Sequence, residues 1–277
     1  GGFFLLSEAE RTDLIREEPG AAKWIRRYMG GEDFINYQIR YCLWLQDITP
    51  NELRGLPTVA RRIEAIREFR LASKAASTRA YAKYPTLFRQ IAQPDSDYLA
   101  VPEVSSENRE YIPMAVVSKE VIASNTLQFI PAASLYHFGI LTSAMHMAWM
   151  RQVAGRLKSD YRYSNSLVYN NFPWPEKIAD ERQLEIERLA QAVLDERAKH
   201  LEKGATLADL YDPVTMPPGL AKAHAALDRA VDRAYRSAPF ETERARVEHL
   251  FALYQSLTTL FPEKPKKKPR KKQVAGA

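Results

Sequence analysis

YHFGILTSAMHMAWMRQVAGRLKSDYRYSNSLVYNNFPWP, residues 136–175, is the stretch that decides the fold. Its first half carries large apolar residues three or four positions apart, the spacing of one face of an α-helix, and Gly155 offers a place for that helix to stop. These apolar residues are Phe138, Leu141, Met145 and Trp149. The second half, residues 164–172, is rich in apolar residues and is followed by prolines, which predicts a short strand.

Between the predicted helix and strand lies a segment dense in hydrogen-bond donors and aromatic rings, residues 156–165. Loops that are held by a rigid helix and a rigid strand are where binding residues tend to lie. We therefore expect this loop to carry part of a binding site.

Before residues 136–175 the sequence predicts both strands and helices, and after them it predicts helices alone. Ser7 followed by Glu10 is a capping box that opens a helix to about residue 18, and Pro57 suits the first turn of another. Strands are predicted at residues 1–6, 37–46, 98–104, 111–117 and 126–130, a short helix at 21–29, and amphipathic helices at 180–198, 220–236 and 242–260. The fold class is α+β: a mixed sheet-and-helix domain (1–175), an all-helical region (176–261) and a disordered basic tail (262–277).

The composition excludes several classes of protein. With 45% hydrophobic and 27% charged residues, the 277-residue chain has the balance of a soluble globular protein. It has no apolar run of about 18 residues to span a membrane, and its first residues lack the pattern of a secretion signal. Its one cysteine, Cys42, excludes an internal disulfide and is expected to be a core residue. These features favour the cytoplasm.

The chain has a net charge of +6, and its Lys and Arg residues are concentrated in two places. The tail from Pro262 carries seven basic residues against Glu263, which accounts for all of the net charge and leaves the rest of the chain neutral. Within that neutral part, residues 54–92 hold nine Lys and Arg against two Glu. Phosphate binding needs positive charge concentrated on one face, so this local excess indicates nucleic acid, although a solvated helix face explains it equally well.

A second candidate region is the polar tip between residues 98–104 and 111–117, which read as a hairpin. The tip contains Asn108 and Arg109. Arg and Asn make bidentate contacts to guanine and adenine edges, so such a tip can read a major groove. An exposed hairpin turn needs no such role, and both interpretations stay open at this point.

The motifs of several chemistries are missing from the sequence. There is no Gly-rich cofactor turn, P-loop, nucleophile elbow or metal-spaced histidine pair. Residues 171–174, NFPW, have some letters of the Asn-Pro-Pro-Tyr/Phe motif of adenine methylation, but Trp174 separates the prolines. The residues as they stand describe a binding module, with no catalytic and no metal-binding residue.

The sequence also resembles a known family. The runs FRLASKAASTR, PTLFRQ, SSENREYIP, LYHFGILTSAMHMAW and GRLKSDYRYSNSLVYNNFPWP are similar to the C-terminal half of single-chain N6-adenine-specific DNA methyltransferases, including the type IIL restriction-modification enzymes. In that family this half is the target-recognition domain followed by a helical C-terminal region. The layout is also similar to type I specificity subunits.

The resemblance implies that catalysis and site selection belong to different parts of the complete protein. The complete protein would bind S-adenosylmethionine, flip an adenine out of double-stranded DNA and methylate it, while this part selects the site. The catalytic domain would lie upstream of Gly1, outside this chain, which alone is expected to be inactive.

The candidate DNA-binding residues fall into two groups. For phosphate contact we expect Arg70, Lys74, Arg79, Arg89, Lys158 and Arg162. For base-edge readout we expect Asn108, Arg109, Tyr163 and Asn165. The alternative function is a protein-interaction module that docks a methyltransferase or nuclease partner, with only incidental contact to DNA.

Overall fold

The computed structural model describes residues 2–259 and has an α+β fold, with sheets in the N-terminal part and helices in the C-terminal part. The strands are β1 Leu5–Leu6, β2 Ile25–Met29, β3 Arg40–Leu43, β4 Tyr98–Pro102, β5 Val104–Ser105, β6 Ala115–Val117, β7 Val121–Ala123, β8 Leu127–Pro131, β9 Gly155–Leu157 and β10 Asp160–Arg162. The helices are α1 Glu8–Glu17, α2 Gly31–Asn36, α3 Pro50–Arg54, α4 Pro57–Leu71, α5 Ala76–Ala80, α6 Leu135–Leu141, α7 Ala144–Val153, α8 Asp180–Leu201, α9 Leu207–Leu210, α10 Pro218–Tyr235 and α11 Glu243–Thr258.

The strands form three small sheets. A four-stranded sheet has the order β1-β3-β2-β7, in which β2 and β7 are parallel and the other pairs antiparallel. The other two sheets are three-stranded and antiparallel, with the orders β6-β4-β8 and β5-β10-β9. Consecutive strands β4 and β5 therefore belong to different sheets, and the chain passes between these sheets at Glu103.

Two hydrophobic cores lie in the described residues. The N-terminal core packs α4 against the four-stranded sheet, and its members include Phe4, Leu6, Leu43, Val59 and Ile63. The main core is larger and joins β4 and the helices α6 and α7 to the C-terminal helices. It includes Leu99, Phe138, Met145, Trp149, Ile186, Val193, Leu227 and Val231.

The helical part shares the main core with the sheets. Helices α6 and α8 pack so closely at Gly139 that an added Cβ would lie 2.8 Å from Ile186 Cγ2. Arg197 of α8 is buried, and its guanidinium donates to the Met114 carbonyl at 2.7 Å. Buried residues on both sides of residue 175 therefore depend on one another. The division of the chain there into two domains stays a prediction.

The structure confirms the expectations that rest on local signals. Ser7 and Glu10 form the capping box of α1, and Pro57 lies in the first turn of α4. The long amphipathic helices appear as α8, α10 and α11, and the described residues from 176 to 259 contain no strand. Cys42 is fully buried, as expected of a core residue.

The helix predicted across residues 136–155 is wrong in one respect, because it is two helices, α6 and α7. The break comes at Thr142 and Ser143, where the Thr142 hydroxyl donates to the Phe138 carbonyl and the Ser143 hydroxyl accepts from the His146 amide. Short hydroxyl side chains satisfy backbone groups in this way and so favour helix ends over helix interiors. The large apolar residues of both helices still face the main core.

Two upstream expectations also need correction. Residues 21–29 were expected to be a helix, but a 3₁₀ turn over Pro19–Trp24 leads into strand β2, which pairs with both β3 and β7. The strand predicted at 37–46 shortens to β3, and Arg40 and Tyr41 in it are only half buried. Pairing with other strands determines the extent of both β2 and β3, and the local periodicity of the sequence does not indicate that pairing.

The strand predicted over residues 164–172 is a π-helical turn, Asn165–Tyr169. The Ser164 hydroxyl accepts from the Leu167 amide, and the Trp149 indole donates to the Val168 carbonyl at 3.0 Å. The predicted hairpin of 98–104 and 111–117 is confirmed as the pairing of β4 with β6. Its connection is longer than expected, because residues 111–114 turn inward to the core and β5 pairs with β10 instead.

The basic tail predicted at residues 262–277 lies outside the described residues. Among residues 2–259, none of the helices has the length and apolar character that crossing a membrane requires.

Asp228 of α10 links three elements of the main core. Its carboxylate accepts from the Ala144 amide at the start of α7 and from the Tyr111 hydroxyl, both at 2.7 Å. Burial raises the pKa of Asp228 to about 6, with Asp232 adding to the rise and the two hydrogen bonds and Arg246 opposing it. The folded protein therefore takes up a proton that the unfolded chain binds only at lower pH.

We predict that Asp228→Asn stabilises the protein above pH 6. The Asp228 contribution to stability is present below about pH 4 and is lost as the pH rises through about 6. An amide keeps both hydrogen bonds without a buried charge, so the gain at pH 8 should be on the order of 2 kcal/mol. Urea unfolding of both proteins from pH 4 to pH 8 measures the difference. A variant that is less stable than the parent at pH 8 would show that the ionised carboxylate is required.

Candidate nucleic-acid interface

A cleft of about 890 Å³ lies between the four-stranded sheet and β8. One wall is formed by the end of β7 and by the segment that leads from Phe88 to Gln93. The opposite wall is β8 with the π-helical turn, from which Asn165 reaches the cleft. Segments far apart in sequence therefore build one groove, and two expected binding residues, Arg89 and Asn165, lie on it together.

Amide side chains dominate the polar lining of this cleft. They are Gln90, Gln93, Asn125, Gln128 and Asn165. Gln93 is structural, because its amide group donates to the Lys119 and Val121 carbonyls at 2.9 Å and accepts from the Ala123 amide. The other four make no side-chain hydrogen bond to any described residue. Their donors and acceptors face an open groove, as readout of base edges requires.

A basic corner stands at the end of this cleft, where the short helix α5 meets the segment after Phe88. It consists of Lys74, Arg79 and Arg89, all exposed, with the hydroxyl residues Ser77 and Thr78. Arg89 donates to both hydroxyls, at 3.0 Å and 2.9 Å. Arg79 donates to the carbonyls of residues 73 and 74. The corner is thus a preorganised group of cations and hydroxyls, of the kind that positions a phosphate backbone.

The small sheet β5-β10-β9 brings together a second set of the expected residues. Lys158 lies exposed in the β9–β10 turn, and Arg162 on β10 is exposed and pairs with Glu103 at 2.8 Å. Because β5 pairs with β10 and the Glu107 amide donates to the Asp160 carboxylate at 3.3 Å, the turn that holds Asn108 and Arg109 lies beside this sheet. Asn108 is exposed and Arg109 is half buried.

Arg109 lies in a mixed electrostatic environment. Burial lowers the pKa of its guanidinium, and the carboxylates of Asp212 and Asp160 oppose that effect. Within residues 2–259, neither carboxylate forms an ion pair with the Arg109 guanidinium, so their influence on it is electrostatic attraction over a longer distance. This placement is compatible with the expected contact to a base edge.

Arg70 does not lie with the other basic residues and is a correction to the expected phosphate-binding set. It is buried, and its guanidinium donates to the Tyr84 and Leu87 carbonyls, each at 2.7 Å. These bonds fold the segment after α5 back onto α4. Arg70 therefore supports the basic corner from inside, and we leave it out of the proposed interface.

We predict that Arg70→Met lowers stability by about 3 kcal/mol, since two partly buried hydrogen bonds from a buried charged donor are lost. Arg67→Met, on the exposed face of the same helix and paired only with Glu64, is the matched control and should change stability by less than about 0.5 kcal/mol. Thermal and urea unfolding measure both. If Arg70→Met left stability unchanged, the inward placement of the guanidinium would be contradicted.

Tyr163, expected to read a base edge, is the other residue that the structure places inside. It is 2% exposed, and its hydroxyl lies 3.0 Å from Nε2 of buried His146. Burial lowers the pKa of His146 to about 3 and raises that of Tyr163, so both groups are neutral at physiological pH. The pair holds β10 against α7, and Tyr163 is likewise left out of the proposed interface.

Within residues 2–259, the two-glycine turn between β2 and α2 does not fit S-adenosylmethionine. Its glycines are Gly30 and Gly31. A Cβ at Gly31 would lie 2.9 Å from the Thr126 carbonyl oxygen, and the space beside Gly30 is filled by Asp33, Ser124 and Thr126 side chains. The turn is packed against the chain itself and leaves no cradle for a cofactor.

Metal and thiol chemistry are not indicated either. No group of three or more His, Cys, Asp or Glu side chains within residues 2–259 is arranged to hold a metal ion. Burial raises the pKa of the Cys42 thiol to about 12, so it is not an activated nucleophile. What the geometry offers is a polar cleft, a basic corner and a small sheet with exposed cations.

Two models of known protein domains match nearly the whole chain. Residues 1–176 match the model of the MmeI target recognition domain, and residues 178–261 match that of the MmeI C-terminal domain. The chain belongs to the MmeI family. Within it, the chain corresponds to the target recognition domain followed by the C-terminal domain, and this confirms the resemblance drawn from the sequence.

Two relatives of this MmeI-family chain illustrate the match. DNA methyltransferase A of Bacillus subtilis (strain 168) is 42% identical over 258 residues, which cover 93% of this chain and 29% of the relative. The structure of the type IIL restriction-modification enzyme MmeI in complex with DNA is 47% identical, with a TM-score of 0.89 over 93% of this chain and 34% of that one. The chain thus spans about a third of each relative.

Sequence reasoning missed the amides of the cleft in this MmeI-family chain. Gln128 follows buried Leu127, whereas Gln90 and Asn125 are exposed residues without a buried neighbour in the sequence. The available signal was weak: Asn125 stands in a turn between two short strands, where an exposed amide is ordinary. Only the fold, which places β8 and the segment after Phe88 on opposite walls of one cleft, shows that these residues share a groove.

Proposed function

We propose that this chain is the sequence-specific DNA-recognition part of an S-adenosylmethionine-dependent DNA adenine-N6 methyltransferase of the restriction-modification type. The observation that carries the proposal is the cleft, which combines partner-free amides on its walls with a basic corner at its end. The catalytic domain and its cofactor lie in the rest of the complete protein. That role belongs in the cytoplasm, with double-stranded DNA as the partner.

In this proposal the cations grip the backbone and the amides read the bases. Lys74, Arg79 and Arg89 hold phosphates at one end of the groove, and Lys158 and Arg162 hold them at the small sheet. Base edges meet Asn108, Arg109 and Asn165, and we add Gln90, Asn125 and Gln128. Phosphate contacts fix register, whereas amide and guanidinium contacts distinguish sequences.

A selection experiment tests this function. The chain ending at residue 261, without the basic tail, is incubated with a pool of random duplexes at about 50 and 200 mM salt, and the retained DNA is sequenced. We expect enrichment of a short motif that contains adenine. Retention without a motif would reduce the role to non-specific binding, and no retention at either salt would favour the protein-interaction module.

A further inference from the structure

A smaller cavity of about 310 Å³ opens from the cleft, at the junction of β8 and the π-helical turn. We call it the side slot. It shares Gln128, Phe129 and Asn165 with the cleft, so anything bound in the cleft has direct access to it. Its volume is in the range of small-molecule sites, which are roughly 300–1,000 Å³.

The walls of the side slot are largely apolar and include three aromatic side chains, of which Phe129 and Tyr169 are the less buried. Phe129 packs against buried Tyr98, with ring centroids 5.5 Å apart, and Tyr169 packs against Trp174 at 6.2 Å. Val101 and Tyr163, which are buried, complete the lining together with Ile130 and Pro131. The two rings are supported from behind, so they present fixed faces to a ligand.

The polar groups of the side slot are three amides: Gln128, Asn165 and Asn170. Within residues 2–259, none of their side chains makes a hydrogen bond. Asn171, the next residue of the same turn, shows the contrast, because its amide donates to the Ser166 carbonyl at 2.7 Å. The side slot therefore concentrates free amide donors and acceptors, while a neighbouring amide is used to hold the turn.

The π-helical turn creates this arrangement. In the strand that the sequence suggests, Tyr169 and Asn170 would point to opposite faces, whereas the turn brings both to the side slot with Asn165. Turns of this type are rare and occur frequently at functional sites. The Ser164 cap and the Trp149 indole fix the turn from its other side.

The chemistry of the lining defines the class of ligand. The side slot has no charged side chain, so a phosphate or a carboxylate would find no partner there. Aromatic faces with amides around them suit a neutral, planar heterocycle that carries donors and acceptors on its edge. In bound DNA, only a base that has left the stack offers such a group.

We propose that the side slot receives one unpaired, extrahelical nucleobase from the bound duplex, by stacking on Tyr169 or Phe129 and by hydrogen bonds to the amides. The proposal rests on the proposed function, because the cleft must hold DNA. Stacking of a base on an aromatic side chain contributes about 1–3 kcal/mol, and the amides add selectivity among bases.

Affinity for a bulged duplex tests the proposal. A duplex with a single unpaired base and a fully paired duplex of the same flanking sequence are titrated with the full chain. The unpaired base needs no extra unpairing, so we expect about 10-fold tighter binding of the bulged duplex. Tyr169→Leu and Asn170→Leu should each bring that ratio close to one. Leu167→Ala, on the same turn and 53% exposed, is the control and should leave the ratio unchanged.

Photocrosslinking locates the base. With 5-iodouracil as the unpaired base, irradiation should link it to Tyr169 or Phe129, as mass spectrometry of the peptides will show. Equal affinity for both duplexes, a preference that survives both slot variants, or a crosslink only outside the slot each overturns the inference while DNA binding stands. Failure to bind either duplex overturns the proposed function and this inference with it.

Discussion

Lys74→Glu combined with Arg79→Glu is expected to weaken binding to duplex DNA of any sequence about 100-fold at low salt. Both residues are exposed at the basic corner, and no carboxylate is paired with either within residues 2–259. Charged contacts of this kind contribute about 1.5–3 kcal/mol each, so losing two of them costs on the order of 3 kcal/mol. The motif selected from a random pool should stay the same, because phosphate contacts carry no base information.

The salt dependence provides a second readout of the same variant. Each lost phosphate contact should lower the slope of log affinity against log salt by about one, so the double variant should lose about two. Titrations between about 50 and 200 mM salt give both the affinity and the slope.

Lys222→Glu combined with Arg229→Glu is the matched control, since it makes the same change in net charge on exposed positions of α10. It should bind DNA almost as well as the parent. Equal losses in the two double variants would show that net charge matters and the basic corner does not. Unchanged DNA binding in the Lys74→Glu/Arg79→Glu variant would favour the protein-interaction module.

The sequence predicts well those features whose causes lie within one segment. The capping box of Ser7 and Glu10 and the long amphipathic helices depend on residues three or four positions apart, and the structure confirms them. The neutral charge of residues 1–261 and the local excess of positive charge near α5 can also be recognised from the sequence alone. These are the features that, with the family resemblance, indicate DNA recognition.

Other features depend on contacts that no local pattern records. Strand β2 exists because Arg27, Tyr28 and Met29 pair with β7, almost a hundred residues later. The turn at 165–169 exists because Trp149 donates to the Val168 carbonyl and Ser164 caps its start. A segment of strand-like composition thus becomes a turn when its neighbours supply the hydrogen bonds of the turn instead of those of a ladder.

The candidate site shows the same limit. Arg70 and Arg79 belong to one basic run, yet Arg70 is buried because the segment from Tyr81 to Leu87 folds back over it. The composition of the run predicts a positive face but cannot assign each arginine to the inside or the outside. The cleft amides come from three separate segments, so only the tertiary packing identifies them as a group.

Ending the chain at residue 175 is expected to abolish the fixed packing of the main core. Trp149 packs against Phe251 and Tyr254 of α11, with ring centroids 5.2 Å and 5.6 Å apart, and α6 contacts α8 at Gly139 almost through its backbone. Removing α8–α11 would expose those faces and leave the Met114 carbonyl without Arg197. The lost burial involves many large side chains at about 1.5–3 kcal/mol each, which exceeds the net stability of about 5–15 kcal/mol of an ordinary domain.

Near-ultraviolet circular dichroism and thermal unfolding measure this loss. The shortened chain should show no fixed aromatic signal from the main core, and it should bind a hydrophobic dye, as a loosely packed state does. The N-terminal core uses only residues before 90, so helical signal from α1 and α4 can persist. A chain ending at residue 261 is the control and should unfold like the parent.

A cooperative unfolding transition of the 1–175 chain, with intact DNA binding, would contradict this expectation and would support a recognition domain that is independent at residue 175. The opposite result would mean that recognition and helical parts are one folding unit despite matching two family models. The helices would then contribute to DNA recognition indirectly, because α8 and α11 hold α6 and α7. Helix α7 in turn positions the π-helical turn through Trp149 and the lining of the side slot through Tyr163.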